Sequence, residues 1–387
     1  MSRVKVTFFI NSLEQGGAER QLAELLTRLD RDVFEPSLVL CIDRDQLGYK
    51  LPVDRIRCLN APMFPTPASV NQLARELRDL GTEILHTYMG WENIFGRVAA
   101  RRAGVRAVVG SVRCTQLPVR HIAGEALTHK MADAIIVNSV GIRDELVRRA
   151  RIPKESIDVV ENGVDLARFS PLGAPAIARE RKLWGMDGRR VLVMPGRICD
   201  QKNQKEVLRA LVSLKHDGDL PEDVRVIFAG RGSPPWFGEA LRAYSTLSGL
   251  GPQVEFVGIV KQVEKLVGAA DAMLLPSNYE GLPNAVIEGM ACGVPVIVSQ
   301  AANTDELVTD GKEGLVCEDN RSAGIARALR RFFGLSHAER AAMGAAGHEH
   351  AKTRFAVSRM VARTVEVYAR VLGGLPKPAS EHASGAL

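Results

Sequence analysis

The sequence predicts an α/β protein made of two doubly wound, parallel-sheet domains. Three observations predict it. Short apolar, β-rich runs alternate with segments of helical period, the pattern of strands joined by crossover helices. The alternation is run through twice, and a stretch rich in Pro, Gly and charge (NGVDLARFSPLGAPAIARERKL) separates the two series. The chain has 387 residues and 46% apolar content, enough for two or three domains at roughly 150 residues each.

The first series places strands at 4–10 (VKVTFFI), 36–42, 83–88, 106–112, 134–139 and 157–162, with helices between most of them. The second places strands at 190–196 (RVLVMPG), 224–230, 253–258, 272–277, 294–299 and 314–318. Segments 321–334, 337–352 and 356–372 are helical by period, and PKPASEHASGAL reads as a polar, disordered tail. The expected domains are 1–170, a linker at 171–189, a second domain at 190–355, a C-terminal helix at 356–373 able to pack back on the first domain, and a tail from 374 to 387. Two such domains joined in the middle are expected to leave a cleft at the carboxyl ends of their strands, where ligands of this architecture bind.

Composition excludes several classes. No run of about 18 uncharged apolar residues exists, and Asn11 and Glu14 interrupt the apolar start, so a cytosolic chain without a span or secretory signal is expected. The six cysteines are scattered without metal-ligand spacing and read as reduced, mostly buried thiols. The net charge of +6 matches one acid-free window containing Arg97, Arg101, Arg102, Arg106, Arg113 and Arg120. That window is either a solvated helix face or a contact for an anionic partner such as a lipid surface. With 5% aromatics and no basic helix interleaved with stacking residues, a nucleic-acid partner is not expected.

The stretch LPSNYEGLPNAVIEGMACGVPVIVS carries the chemistry. Its first residues end a buried strand, SNYEG is the loop at that strand's carboxyl end, and Pro283 suits the first turn of a helix that Gly293 and Pro295 close. The helix therefore starts at the ligand edge. N–H groups at Gly281, Leu282 and Asn284, with the helix dipole, suit a phosphate. Glu280 would repel an anion, so it suits neighbouring hydroxyls, and Glu288, two turns along and about 80° round the helix, reaches another part of the ligand. A phosphate between two polyols fits both acids; ordinary surface carboxylates are the plainer reading. Arg197 and Lys202, on the loop PGRICDQKN after the first strand of the second series, add two cations suited to a diphosphate. Gly16 and Gly17, after the first strand of the chain, let backbone approach a ligand or simply make a tight turn.

GGAER at 16–20, NGVDLARF at 162–169, GRICDQKN at 196–203, FVG at 256–258 and EGLPNAVIEGMACGVPVI at 280–297 together resemble glycosyltransferase family 4, whose fold is GT-B, two Rossmann-like domains facing each other across a cleft. The resemblance spans about residues 4–373, and the spacing of Glu280 and Glu288 is similar to that family's E-x7-E motif. It implies a hexosyltransferase-type enzyme using a nucleotide-sugar donor, with UDP the commoner carrier, usually retaining the anomeric configuration and needing no metal or other cofactor. It also implies that Arg197 and Lys202 bind the donor diphosphate, that Glu288 binds ribose, that Glu280 faces the donor sugar and phosphate, and that backbone near Gly258, Val260 and Lys261 holds the base. Many relatives carry a histidine after the strand matching RAVVGSV; here Arg113 stands in that neighbourhood, facing donor phosphate or an acidic acceptor. His86, in EILHTY, is the nearest histidine for the cleft, as a structural or acceptor-facing residue.

Other signals are declined. Asp43, Arg44 and Asp45 have the D-x-D form of metal-dependent transferases but follow a strand far from the expected donor site, and His348 and His350, two apart, pair poorly on a helix. GRG at 230–232 continues as SPPWFG and fails the dinucleotide fingerprint, which disfavours a nicotinamide dehydrogenase. The expectation is a cytoplasmic glycosyltransferase, peripheral on the inner membrane face, acting on a lipid-linked or envelope-polysaccharide acceptor. A nucleotide-sugar epimerase of the same architecture and a catalytically silent nucleotide-binding homologue are the alternatives.

Overall fold

The computed structural model describes residues 3–14, 16–44, 51–61 and 66–375. They form two compact units: residues Met1–Gly163 with Val357–Leu387, and Val164–Ala356.

The first unit holds seven parallel strands, β1 (Val4–Ile10), β2 (Phe34–Leu40), β3 (Arg55–Cys58), β4 (Ile84–Tyr88), β5 (Ala107–Val112), β6 (Ala134–Val137) and β7 (Ile157–Val159). Its crossover helices are α1 (Gly17–Arg28), α2 (Pro67–Asp79), α3 (Gly90–Ala103), α4 (Val119–Thr128) and α5 (Val140–Ala150). The strand order is β3-β2-β1-β4-β5-β6-β7, so the order reverses between β1 and β4. Six strands fall where apolar runs predict them, because a parallel strand covered on both faces must be apolar throughout. β3 has no such run: RIRC is an edge strand with Arg55, Ile56 and Arg57 exposed, and charge there protects the edge from further pairing.

The second unit runs through α6 (Ala174–Leu183), β8 (Arg190–Pro195), α7 (Gln204–His216), β9 (Val224–Ala229), α8 (Pro235–Leu247), β10 (Val254–Phe256), α9 (Val263–Gly268), β11 (Ala272–Leu275), α10 (Asn284–Ala291), β12 (Val296–Ser299), β13 (Gly314–Cys317), α11 (Ser322–Gly334) and α12 (His337–Arg354). Its sheet is parallel, in the order β10-β9-β8-β11-β12-β13, with the reversal between β8 and β11. The stretch expected as a linker, 171–189, contains α6. Arg181 fastens this helix by donating to the Ala269 carbonyl at 3.0 Å and to Asp271 at 3.2 Å, and the unit boundary falls earlier, after Gly163. α10 is apolar almost all round because it is enclosed, with Val286 through Ala291 buried. Gly293, at φ +71°, ends it, and a Cβ there would lie 3.1 Å from Pro171 Cγ.

The last helix, α13 (Val357–Leu372), belongs to the first unit, where Tyr368 is fully buried. Of the expected tail, residues 376–387 lie outside the described residues. All six cysteines are free.

Candidate active site

The reversal of strand order in the second unit puts the loops after β8 and β11 side by side, the place where open α/β sheets take ligands. Hydrogen bonds lace these two loops together. Asn278 N–H donates to the Gln201 carbonyl at 2.8 Å and Gln201 Nε2 donates to the Tyr279 carbonyl at 3.1 Å. Asn278 Nδ2 donates to the Asp200 carbonyl at 2.7 Å, and buried Asn203 donates to the Pro276 carbonyl at 2.9 Å. Close approach tightens the floor: a Cβ on Gly230, after β9, would sit 1.8 Å from the Gly196 carbonyl oxygen.

On this frame Lys202 Nζ donates to Glu280 Oε1 at 2.7 Å, with 16% and 9% of the two side chains exposed. The sequence expected both residues to face the ligand and gave no sign that they pair. The carboxylate holds the ammonium in place, so an arriving phosphate would meet a positioned donor, not a mobile lysine tip. Arg197 is exposed, and its guanidinium makes a long contact of 3.5 Å with Gln201 Oε1. It is the more available cation of the two. Gly281 and Leu282 are buried in the turn before α10, and Pro283 is its N-cap, one position earlier than expected, leaving Asn284 as the first helical residue. The positive end of α10 thus lies next to Glu280 along the chain, and Glu280 in turn holds the Lys202 ammonium.

Glu288, on α10, is 8% exposed. Burial first, and then the Glu288 charge, push the Cys292 thiol up to about 12, so this cysteine stays protonated. Gly258 adopts φ +72°, and Val260 is half-buried against the core of the unit, with Ile259 between them 51% exposed. The pattern of hydrogen bonding through Gln201, Asn203 and Asn278 was missed in the sequence; its signal is the density of amide side chains in ICDQKN and PSNYEG.

In the first unit, Gly16 is the N-cap of α1 with extended backbone (φ −137°), so no positive φ requires it, and Gly17 opens the helix. His86 is not available to any ligand. It is completely buried, its ring nitrogens 2.6 Å from the Tyr368 hydroxyl and 2.8 Å from Ser111 Oγ, and burial followed by the charge of Arg113 holds its pKa well below the ordinary histidine range. Arg113 is 8% exposed, donates to Asn162 Oδ1 at 2.9 Å, and stands over the Tyr88 ring at 5.4 Å.

Arg97 also departs from expectation. It is fully buried, with Nη1 donating to Glu125 Oε2 at 2.6 Å and to Thr128 Oγ1 at 3.1 Å, while Asn93 Nδ2 donates to Glu125 Oε1 at 3.1 Å. The acid-free window of sequence is therefore not an arginine-covered face: Arg97 points into α4, whose Glu125 supplies the counter-charge. Arg101, Arg102, Arg106 and Arg120 are exposed.

Among the described residues no cluster of His, Cys, Asp and Glu could hold a metal. Asp43 is exposed and Asp45 lies outside the described residues, while His348 Nδ1 bonds the Ala291 carbonyl at 2.8 Å. No helix among them is long and apolar enough to cross a membrane.

Comparison with known proteins agrees with this architecture. Residues 15–168 match the profile of Glycosyltransferase Family 4 and residues 189–334 that of Glycosyl transferases group 1. The UDP-Gal:alpha-D-GlcNAc-diphosphoundecaprenol alpha-1,3-galactosyltransferase of Escherichia coli is 26% identical over 284 residues, 71% of this chain and 72% of the relative. A D-inositol 3-phosphate glycosyltransferase of Streptomyces bingchenggensis is 31% identical over 277 residues, 69% of this chain and 59% of the relative. Among solved structures, Anabaena HepE in complex with UDP and glucose superposes with a TM-score of 0.83 at 20% identity, covering 95% of this chain and all of that one. Two sequence profiles, one on each unit, and a shared architecture over nearly the whole length lead to one conclusion: this chain belongs to glycosyltransferase family 4 and has the GT-B fold.

Proposed function

We propose that the chain transfers a hexosyl group from a UDP-sugar to a lipid-linked or envelope-polysaccharide acceptor, with retention and without a metal. The observation that carries this reading is the grouping of Arg197, the Lys202–Glu280 pair and the start of α10 at the reversal point of the second sheet. The named activity of the E. coli relative and the UDP bound to HepE support the choice of carrier, and the same relative's diphosphoundecaprenol substrate supports the acceptor class.

In this reading Arg197 and Lys202 take the diphosphate, Gly281 and the first turn of α10 approach it by backbone, and Glu280 accepts from donor hydroxyls. Glu288 takes the ribose, and the backbone from Gly258 to Val260 takes the base. As the bond from the anomeric carbon to phosphate breaks, negative charge grows on the departing diphosphate, and positioned cations stabilise it more than they stabilise the bound donor. The acceptor oxygen forms the new bond on the same face, and its proton passes to the leaving phosphate oxygen. No protein base is required, in keeping with a His86 sealed in the core and an Arg113 where many relatives place histidine.

The same reading sets the acceptor at an anionic lipid surface, with α4 as the contact. Val119, Ala123 and Leu127 recur every fourth residue along its outer side, Val119 and Leu127 being 77% and 81% exposed, and exposed Arg120 and Lys130 flank them.

The test is a product assay by mass spectrometry with UDP-sugars, GDP-sugars and undecaprenyl-diphosphate-linked acceptors in EDTA. The expected product is acceptor extended by one hexose from a UDP-sugar. Isomerised free donor without acceptor would identify an epimerase, and transfer restored only by Mg²⁺ or Mn²⁺ would overturn the metal-free mechanism.

A further inference from the structure

A cavity lies in the second unit, bordered by the same two loops and by α7, α8 and the segment after β13, and the donor assignment does not use it. It measures about 290 Å³ and is lined by Asp200, Lys205, Phe237, Asn278, Asn320 and Arg321, together with Asn203 and with Glu206, whose carboxylate already accepts from Arg209 at 2.6 Å and from the Ser322 N–H at 3.0 Å. Lys202 and Glu280, each two residues further along these loops, are not part of its lining.

Its walls are preformed. Asn320 Nδ2 donates to Asn278 Oδ1 at 2.8 Å, Asn278 Nδ2 donates to the Asp200 carbonyl at 2.7 Å, and Asn203 Nδ2 donates to the Asn320 carbonyl at 2.6 Å. These bonds fix the amides while leaving Asn320 Oδ1 as an acceptor. Among the described residues the side chains of Asp200, Lys205 and Arg321 have no hydrogen-bond or ion-pair partner. Phe237 adds an apolar wall, and next to it Trp236 is 66% exposed, its ring centre 5.8 Å from that of Phe237 and turned by 77°.

Planar amides and a carboxylate recognise adjacent hydroxyls, an aromatic face takes the C–H side of a sugar ring, and two unpaired cations take a carboxylate. The volume is near the lower end of small-molecule sites, about 300 Å³, and suits one ring with part of a second. We propose that this cavity binds an acidic sugar unit of a glycan, a uronic acid residue, at a site separate from the donor. Lys205 and Arg321 hold the carboxylate, Asp200 and the amides hold the hydroxyls, and Trp236 stacks on the neighbouring ring at the rim. The inference rests on the enzyme's carbohydrate chemistry and not on the donor roles of Arg197 or Glu288.

The test is calorimetry and tryptophan fluorescence on the full chain with saturating UDP, using a galacturonic acid tetramer, maltotetraose and inorganic phosphate as probes. The galacturonate tetramer should bind once per chain, at least tenfold more tightly than maltotetraose, and at least tenfold more weakly to Lys205→Ala/Arg321→Ala. Trp236→Ala should remove the fluorescence change, and Glu288→Ala should leave the tetramer's affinity intact. Absence of saturable binding, equal binding of phosphate, displacement of the tetramer by UDP, or indifference to the double substitution would each overturn the site. UDP affinity, measured in a separate titration without the tetramer, reports on the donor reading independently.

Discussion

Buried His86 shows how far a residue's role depends on partners that the sequence does not bring near. It bonds to Tyr368, 282 residues away, and Arg97 pairs with Glu125 across 28 residues. Nothing in EILHTY or in the acid-free arginine window announces either partner, so His86 read as structural or acceptor-facing and Arg97 as a solvated or anion-facing side chain. The loops carrying Arg197, Lys202 and Glu280 were legible because they hold glycine, proline and charge at the ends of apolar strands; the pairing of Lys202 with Glu280 was not. The burial of His86 has a pH consequence. Its folded pKa is depressed, so the stability it contributes is whole above the unfolded value of about 6.5 and is lost as pH falls toward the folded value, at up to about 1.4 kcal/mol per pH unit. Glu92 acts in the opposite direction: burial raises its pKa from 4.5 to about 6, so proton uptake by the folded state offsets part of the loss between those values. The thermal midpoint of the wild type should therefore fall from about pH 7 to about pH 5 more steeply than that of His86→Gln. Equal slopes would mean that His86 titrates in the folded protein.

Among the elements, those with a continuous apolar run or a strong helical period were readable, including the three C-terminal helices. β3 was not, because an exposed edge strand needs no apolar run, and α6 was not, because proline and charge around it imitate a linker. α4 has the clearest consequence. Arg97 cannot serve a surface, so the proposed lipid contact depends on the apolar line of Val119, Ala123 and Leu127 and on Arg120 and Lys130. Each cation near an anionic bilayer contributes roughly 1 kcal/mol, screened over about 8 Å at physiological salt. Val119→Asp/Leu127→Asp should abolish sedimentation with phosphatidylglycerol-containing vesicles, and Arg120→Glu/Lys130→Glu should weaken it about tenfold or more. UDP affinity should stay unchanged in both. Undiminished sedimentation of both variants would remove α4 from the membrane.

At the scale of the whole molecule, the repeated strand-helix series made both sheets legible, and the doubly wound order then fixed where a ligand site belongs. The order reverses between β1 and β4 in one unit and between β8 and β11 in the other. The second reversal gathers Arg197, the Lys202–Glu280 pair and the start of α10 around two short loops. The central claim is that these loops hold a nucleoside diphosphate, and calorimetric titration of UDP against the wild type, Arg197→Ala and Glu288→Ala tests it most directly. The account predicts one UDP bound per chain, with each substitution weakening binding by at least tenfold, the size expected when a charge-assisted hydrogen bond of about 1.5–3 kcal/mol is lost. Undiminished UDP binding in both variants would contradict it.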